Sequence, residues 1–235
     1  LLSVGILSSK TIEFEMISDG AGRQRATYRE GKLDYNGALY DELLFDAQTP
    51  STMLAEPTFV LYDVVIGKGF HWERRETQKF AGSLKIMVEG NHLVAVNRIG
   101  VEDYLLSVIS SEMRVTASEE FLKAHAVISR SWVMAQIQAR LRYSSGVGAP
   151  DGIDSTKALV TWLECGMRQG GTAESGDYVK WYGHEEHRLF DVCADDHCQR
   201  YQGLTRAVGE TVRRVIDRTW GQVLTVNGAM CDARF

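Results

Sequence analysis

The sequence predicts an α+β fold: a β-rich N-terminal part, a helical catalytic segment after it, a β element at the C-terminal end, and a cleft between them. Three observations carry this prediction. Up to about residue 100 the apolar residues of the ordered-looking runs recur with period two. From Asp103 to about Arg142 they recur at helical spacing instead. Near the end, Gln222–Val226 reads as a strand entering an Asn227-Gly228 turn, with a returning strand beyond. The change of period divides the chain into a β-rich domain over 1–97 and a second domain over 98–235.

In the first part, Ile12, Phe14 and Met16 share one face of a strand over Thr11–Ile17. Phe59–Ile66 is a strand ended by Gly67. Leu84, Ile86 and Val88 alternate, Glu89-Gly90-Asn91 turns the chain, and Leu93–Val96 returns it, which predicts a hairpin. Tyr40, Trp72 and Phe80 are aromatics for the core or the wall of a cleft, the core being preferred.

In the second part, Asp103 can cap a short helix with Tyr104, Leu105, Val108 and Ile109 on one side, stopping near Ser110–Met113. A longer helix follows, capped by Thr116 with Glu119 or by Ser118, and running to about Arg142 with no Gly or Pro inside. Arg130 falls on this helix's apolar stripe among Ala126, Val127, Val133, Met134 and Ile137. A buried guanidinium needs a partner. Two readings stay open: a structural ion pair with a carboxylate, or a cleft residue that positions the catalytic group or substrate. Ser144–Gly152 and Gly170-Gly171 are turn chemistry around a short helix at Ser155–Met167. A flexible surface insertion is therefore expected at about 143–183. A further helix is expected over Gly209–Arg218, with Arg213, Arg214 and Arg218 on its solvated face.

Composition limits the function. The 235 residues carry a formal net charge of −5, which speaks against a nucleic-acid partner but leaves a polymeric sugar open. No apolar run is long enough to span a bilayer. The chain lacks an initiator Met and ends like a strand cut in mid-course, so an excerpt of a longer protein is expected, and the missing leader is silent on compartment. The four cysteines, Cys165, Cys193, Cys198 and Cys231, are too few for a disulfide scaffold in a chain of this length.

Three stretches carry chemistry. The first, Val101–Met113, reads VEDYLLSVISSEM. The second, Leu122–Trp132, reads LKAHAVISRSW. The third, Phe190–Gly203, reads FDVCADDHCQRYQG. Cys193 and Cys198, with His187 or His197, offer the nitrogen and sulfur ligands zinc prefers. A Cys193–Cys198 disulfide and two reduced thiols are the alternatives.

In this order, the three stretches resemble the stage II sporulation protein D family, also called the amidase-enhancer family. The resemblance covers about residues 93–235, with Phe80-Ala81-Gly82 and Val96-Asn97-Arg98 in the family's places upstream. The third stretch is similar to the branch found in Bacteroidetes-type bacteria. The resemblance implies a peptidoglycan lytic transglycosylase. Such an enzyme cleaves the β-1,4 bond between N-acetylmuramic acid (MurNAc) and N-acetylglucosamine (GlcNAc) and leaves a 1,6-anhydro sugar. It places the family's catalytic Glu at Glu112, with Ser110 where a Pro is usual, and its functionally important Arg at Arg130, which favours Arg130 as a catalytic cleft residue over the structural ion pair. It also implies one structural zinc on His187, Cys193 and Cys198, and no organic cofactor. Gln199 and Tyr201 are expected to line the sugar groove. Family members continue beyond the point matching Phe235 into a Cys-Gly-Gly segment that completes the cleft, so the catalytic core is expected to be cut short here.

One carboxyl group suffices for this chemistry. Ordinary glycosidases need two. Here the substrate's own 6-hydroxyl is the nucleophile, and one Glu can protonate the leaving oxygen and take the hydroxyl proton. That Glu must start protonated, which calls for apolar surroundings such as Ile109 and Met113. The expected partners are glycan strands and a cell-wall amidase, and the expected place is the cell envelope or periplasm. The competing readings are a non-catalytic cell-wall-binding module that enhances an N-acetylmuramoyl-L-alanine amidase, and a zinc-stapled structural domain.

Overall fold

A computed structural model describes residues 1–47, 56–114, 116–144, 187–205, 209–226 and 228–233. The first ten strands are β1 (Leu2–Ser9), β2 (Thr11–Met16), β3 (Gln24–Arg29), β4 (Lys32–Tyr35), β5 (Ala38–Tyr40), β6 (Glu42–Phe45), β7 (Phe59–Ile66), β8 (Arg74–Phe80), β9 (Ser83–Glu89) and β10 (His92–Ile99). Then come α1 (Val101–Glu112), α2 (Glu119–Ser144), β11 (Val192–Cys193), α3 (Glu210–Arg218), β12 (Thr225–Val226) and β13 (Ala229–Met230). This is the α+β arrangement expected from the change of period. Residues 1–137 and 187–235 form one compact unit, and 138–186 a second. Position 97/98 lies inside β10, within the first unit.

Two sheets organise the first unit, in the orders β11-β1-β10-β9-β6 and β5-β4-β3-β2-β7-β8. Pairing is antiparallel except where β11 lies parallel to β1. Period-two burial explains the strands: Ile12, Phe14 and Met16 are buried while the residues between them are only partly covered. β9 and β10 form the expected hairpin, His92 opposite Glu89. β8 (RRETQKF) is polar and buries only Gln78 and Phe80. Of the three aromatics expected in the core, Phe80 is buried, Trp72 lines a groove and Tyr40 lies on the surface.

α1 begins at Val101 with Gly100 at its N-cap and no side-chain cap, so Asp103 is a buried first-turn residue and not the expected cap. Ser118 caps α2, its Oγ accepting the Phe121 N–H at 3.4 Å. α3 buries Val212, Val215 and Ile216, three and four residues apart, and packs on α1. Its Arg214 and Arg218 are paired to Glu119 at the start of α2, where only a solvated face was expected. The expected strand at Gln222–Val226 shortens to Thr225–Val226, which pairs with β13. Gln222 and Leu224 serve α2 instead, through the Gln222 carbonyl to Arg130 and the Leu224 N–H to Ser131 Oγ. The expected helix at Ser155–Met167, Asn227 and nearly all of the expected insertion lie outside the described residues. Among the described residues no helix is long and apolar enough to cross a membrane.

Candidate active site and metal cluster

The segment Cys198–Gly203 runs along α1 as a strap, tied down by polar and aromatic contacts. Tyr104 OH donates to Gln199 Oε1 at 3.2 Å, and Gln199 Nε2 reaches the Ser129 carbonyl at 3.4 Å. Ser107 Oγ accepts the Gln202 N–H at 3.0 Å. Tyr201 stacks on Tyr104, with ring centroids 5.0 Å apart, and donates its hydroxyl to Asn97 Oδ1 at 2.6 Å. Burial pushes both phenols above their ordinary range, so they are neutral donors here. Gly203 closes the strap in the left-handed region at φ 60°, where a Cβ would lie 2.2 Å from the Lys79 carbonyl oxygen.

This packing corrects one expectation. Gln199 and Tyr201 are each 2% exposed, so they do not line a sugar groove. They are the anchors of the strap. Between them Arg200 faces outward, as alternation along an extended chain requires. Its backbone N–H donates to Glu112 Oε1 at 2.7 Å. Glu112, the last residue of α1, is partly exposed, while Ile109 is buried in the core and Met113 packs against it.

Beside Glu112 opens a groove of about 520 Å³ lined by Ile66, Trp72, Arg74, Ser110, Ser111, Arg200 and Gln202. The Arg200 guanidinium lies over the Trp72 ring, 5.7 Å from its centroid. Sequence reasoning missed Arg74 and Arg200. The only available signal was the alternation of the third stretch, which turns position 200 outward once 199 and 201 are known to be buried.

Arg130 is 2% exposed. Its Nε and Nη2 grip the Glu102 carboxylate at 2.9 and 2.6 Å, and Nη1 donates to the Gln222 carbonyl at 3.0 Å. This is the structural ion pair, and not the cleft position that the resemblance favoured for Arg130. Glu102 and Glu112 lie ten residues apart on α1, about 15 Å along the helix axis. Arg130 is thus tied to the opposite end of α1 from Glu112.

His187, Cys193, His197 and Cys198 form a cluster whose ligand atoms all lie within 4.8 Å of one another. Cys193 and Cys198 are free thiols, so the disulfide alternative is not realised. A hydrogen bond from Cys198 holds Cys193 well below the ordinary thiol range, at about 3, with His187 adding to the effect; the same bond pushes Cys198 upward. The donor set fits zinc. Tetrahedral Zn–S and Zn–N bonds imply nitrogen-to-sulfur edges of about 3.6 Å. The observed edges are 3.4 Å for His187 Nε2–Cys198 Sγ, 3.7 Å for His197 Nδ1–Cys193 Sγ and 3.4 Å for His197 Nδ1–Cys198 Sγ. His197, which the sequence offered only as a substitute for His187, lies in the cluster as a fourth candidate ligand. β11 carries Cys193 and pairs with β1, so the cluster fastens the strap to the sheet.

Residues 89–226 match the family model for the stage II sporulation protein SpoIID. Neither the curated proteins nor the solved structures gave a match. The matched segment covers more than half of the chain and contains Glu112, the strap and the whole His/Cys cluster, and the chain therefore belongs to the SpoIID family, which is linked to lytic action on the cell wall.

Proposed function

We propose that the chain is a peptidoglycan lytic transglycosylase that cleaves the MurNAc–GlcNAc β-1,4 bond with formation of 1,6-anhydro-MurNAc. Glu112 is its single acid/base. The observation that carries this reading is the Glu112 carboxylate, held by the Arg200 N–H and next in the chain to Ser111 of a polar groove that has no acidic residue among the described residues that line it. In the reaction, the Glu112 carboxyl protonates the glycosidic oxygen and the bond to C1 breaks. The carboxylate then takes the proton of the 6-hydroxyl as O6 bonds to C1. No water is consumed, and Glu112 ends in the form in which it began. The Arg200 N–H fixes one oxygen of the carboxylate, which aims the other at the substrate.

Arg130 acts here as a positioning residue, holding α1, α2 and the segment after α3 in register. His187, Cys193, His197 and Cys198 would hold one structural zinc. With four protein ligands it would supply a cross-link between the strap and the sheet. Action on the wall places the protein in the cell envelope or periplasm.

Purified glycan strands digested with the protein and analysed by mass spectrometry test this reading. Anhydro-muramic ends are expected. Ordinary reducing ends would show water as nucleophile and refute the transglycosylase. Intact strands, bound but uncut, would support the alternative of a wall-binding module that enhances an amidase.

A further inference from the structure

We propose that the groove beside Glu112 is a subsite for a carboxylate carried by a muramic residue, read by Arg200 and Arg74. The proposal rests on the glycan-cleaving reading above and deepens it.

Four observations support it. The groove volume lies in the range of small-molecule sites, about 300–1,000 Å³. It is lined by two guanidinium groups and no carboxylate, although the whole chain carries a net charge of −5. Two guanidinium groups facing one groove suit an anionic group once their own carboxylate partners, Asp196 and Glu76, give way. Both arginines keep donors in reserve. Arg200 uses Nε and Nη2 on Asp196, at 2.9 Å each, and Arg74 uses Nε on Glu76, of the five N–H groups a guanidinium carries. These pairs are partly exposed and therefore weak competitors for a ligand. Finally, Ser110 and Ser111 line the groove, and their buried hydroxyl oxygens have no hydrogen-bond partner among the described residues. Buried hydroxyls left unpaired are costly, and a rotation of either side chain towards the groove would pair it with an oxygen of a bound sugar acid.

The groove is also preformed. The Trp72 ring packs on Gly67, where φ is 69° and a Cβ would lie 2.2 Å from the ring, and it stacks with Phe70 at 5.4 Å. Trp72 in turn holds the Arg200 guanidinium over its face. Because the Arg200 N–H orients Glu112, the anion subsite and the catalytic carboxyl are linked through one residue. A sugar whose acidic substituent sits on Arg200 therefore lies next to the bond to be cut.

The carboxylate can come from the lactyl ether of a peptide-free muramic residue or from its stem peptide. Binding is measured with the Glu112→Gln protein against three polymers: peptide-free strands, strands bearing stem peptides, and chitooligosaccharide, which has neither acid. Tight, salt-sensitive binding to at least one acidic polymer is expected. Arg200→Ala combined with Arg74→Ala should weaken that binding about tenfold or more and leave chitooligosaccharide unchanged. Arg200→Lys should restore it only in part, since it keeps the charge and loses the fork. Loss confined to peptide-free strands assigns the lactyl acid, and loss confined to peptide-bearing strands assigns the peptide. Equal binding of all three polymers, or no effect of the double substitution in a protein with unchanged melting temperature, overturns the subsite. If the arginine dependence holds but the Glu112-containing protein releases no anhydro ends, the lytic reading fails and the subsite stands.

Discussion

Tyr201 donates to Asn97 Oδ1, and Asn97 donates in turn to the carbonyls of Ala81 at 2.8 Å and Ser83 at 3.2 Å. Every member of this chain of bonds is buried or nearly so. Tyr201→Phe keeps the ring stack and leaves the Asn97 oxygen unsatisfied, which should cost about 1–3 kcal/mol of stability. Thermal melting checks this; an unchanged melting temperature with weakened sugar binding would return Tyr201 to the groove. Arg130 behaves differently because its partner is charged. Arg130→Met alone strands the Glu102 carboxylate in the interior and should cost about 3–5 kcal/mol, whereas adding Glu102→Gln should recover much of it. Recovery of stability without recovery of turnover would show that the pair positions α1 as well as stabilising it. The sequence revealed that Arg130 needed a partner. It did not reveal Glu102, 28 residues away, because periodicity orders residues around one helix and says nothing of how two helices face each other.

At the scale of elements, α2 carries its own pH response. His125 is 4% exposed, and burial lowers its pKa from 6.5 to about 4. The unfolded chain therefore binds the proton first. Stability is complete above about pH 6.5 and falls as pH drops from there to about 4, by up to about 3 kcal/mol. His125→Gln, which does not titrate, should flatten that part of the stability–pH curve. An unaltered acid slope would remove His125 as its source. The elements themselves were legible to different degrees. The β9–β10 hairpin and α2 announced themselves because one face of each is apolar and the other is not. β8 did not, since its outward residues are charged and only Gln78 and Phe80 turn inward. β1 escaped as well, although Leu2 and Val4 are fully buried, because it pairs with β10 some 90 positions later in the chain.

Across the whole molecule, the groove draws its walls from three places: β7 to β8, the end of α1, and the strap. Only the last two fall within the stretches that the sequence singled out. Glu112 was singled out by the family resemblance, whose motif is local; by itself it reads as a solvated Glu at a helix end. Arg74 and Trp72 were not, since they reach the site only through the folding of the sheet. The His/Cys cluster extends this long-range closure by tying the strap, through β11, to the first strand of the chain. Elemental analysis should find about one zinc per chain, and its removal by a chelator should lower the melting temperature. Cys193→Ser should do the same without a chelator. A metal-free protein with an unchanged melting temperature would remove zinc from the account of the cluster. The central claim is that the carboxyl group held at the end of α1 by the Arg200 amide moves the proton in glycan cleavage. It is tested most directly by counting anhydro-muramic ends released from purified strands by the wild-type protein and by Glu112→Gln. Glu112→Gln should bind strands as tightly as the wild type and release anhydro ends at least ~10²-fold more slowly; release at the wild-type rate would contradict it.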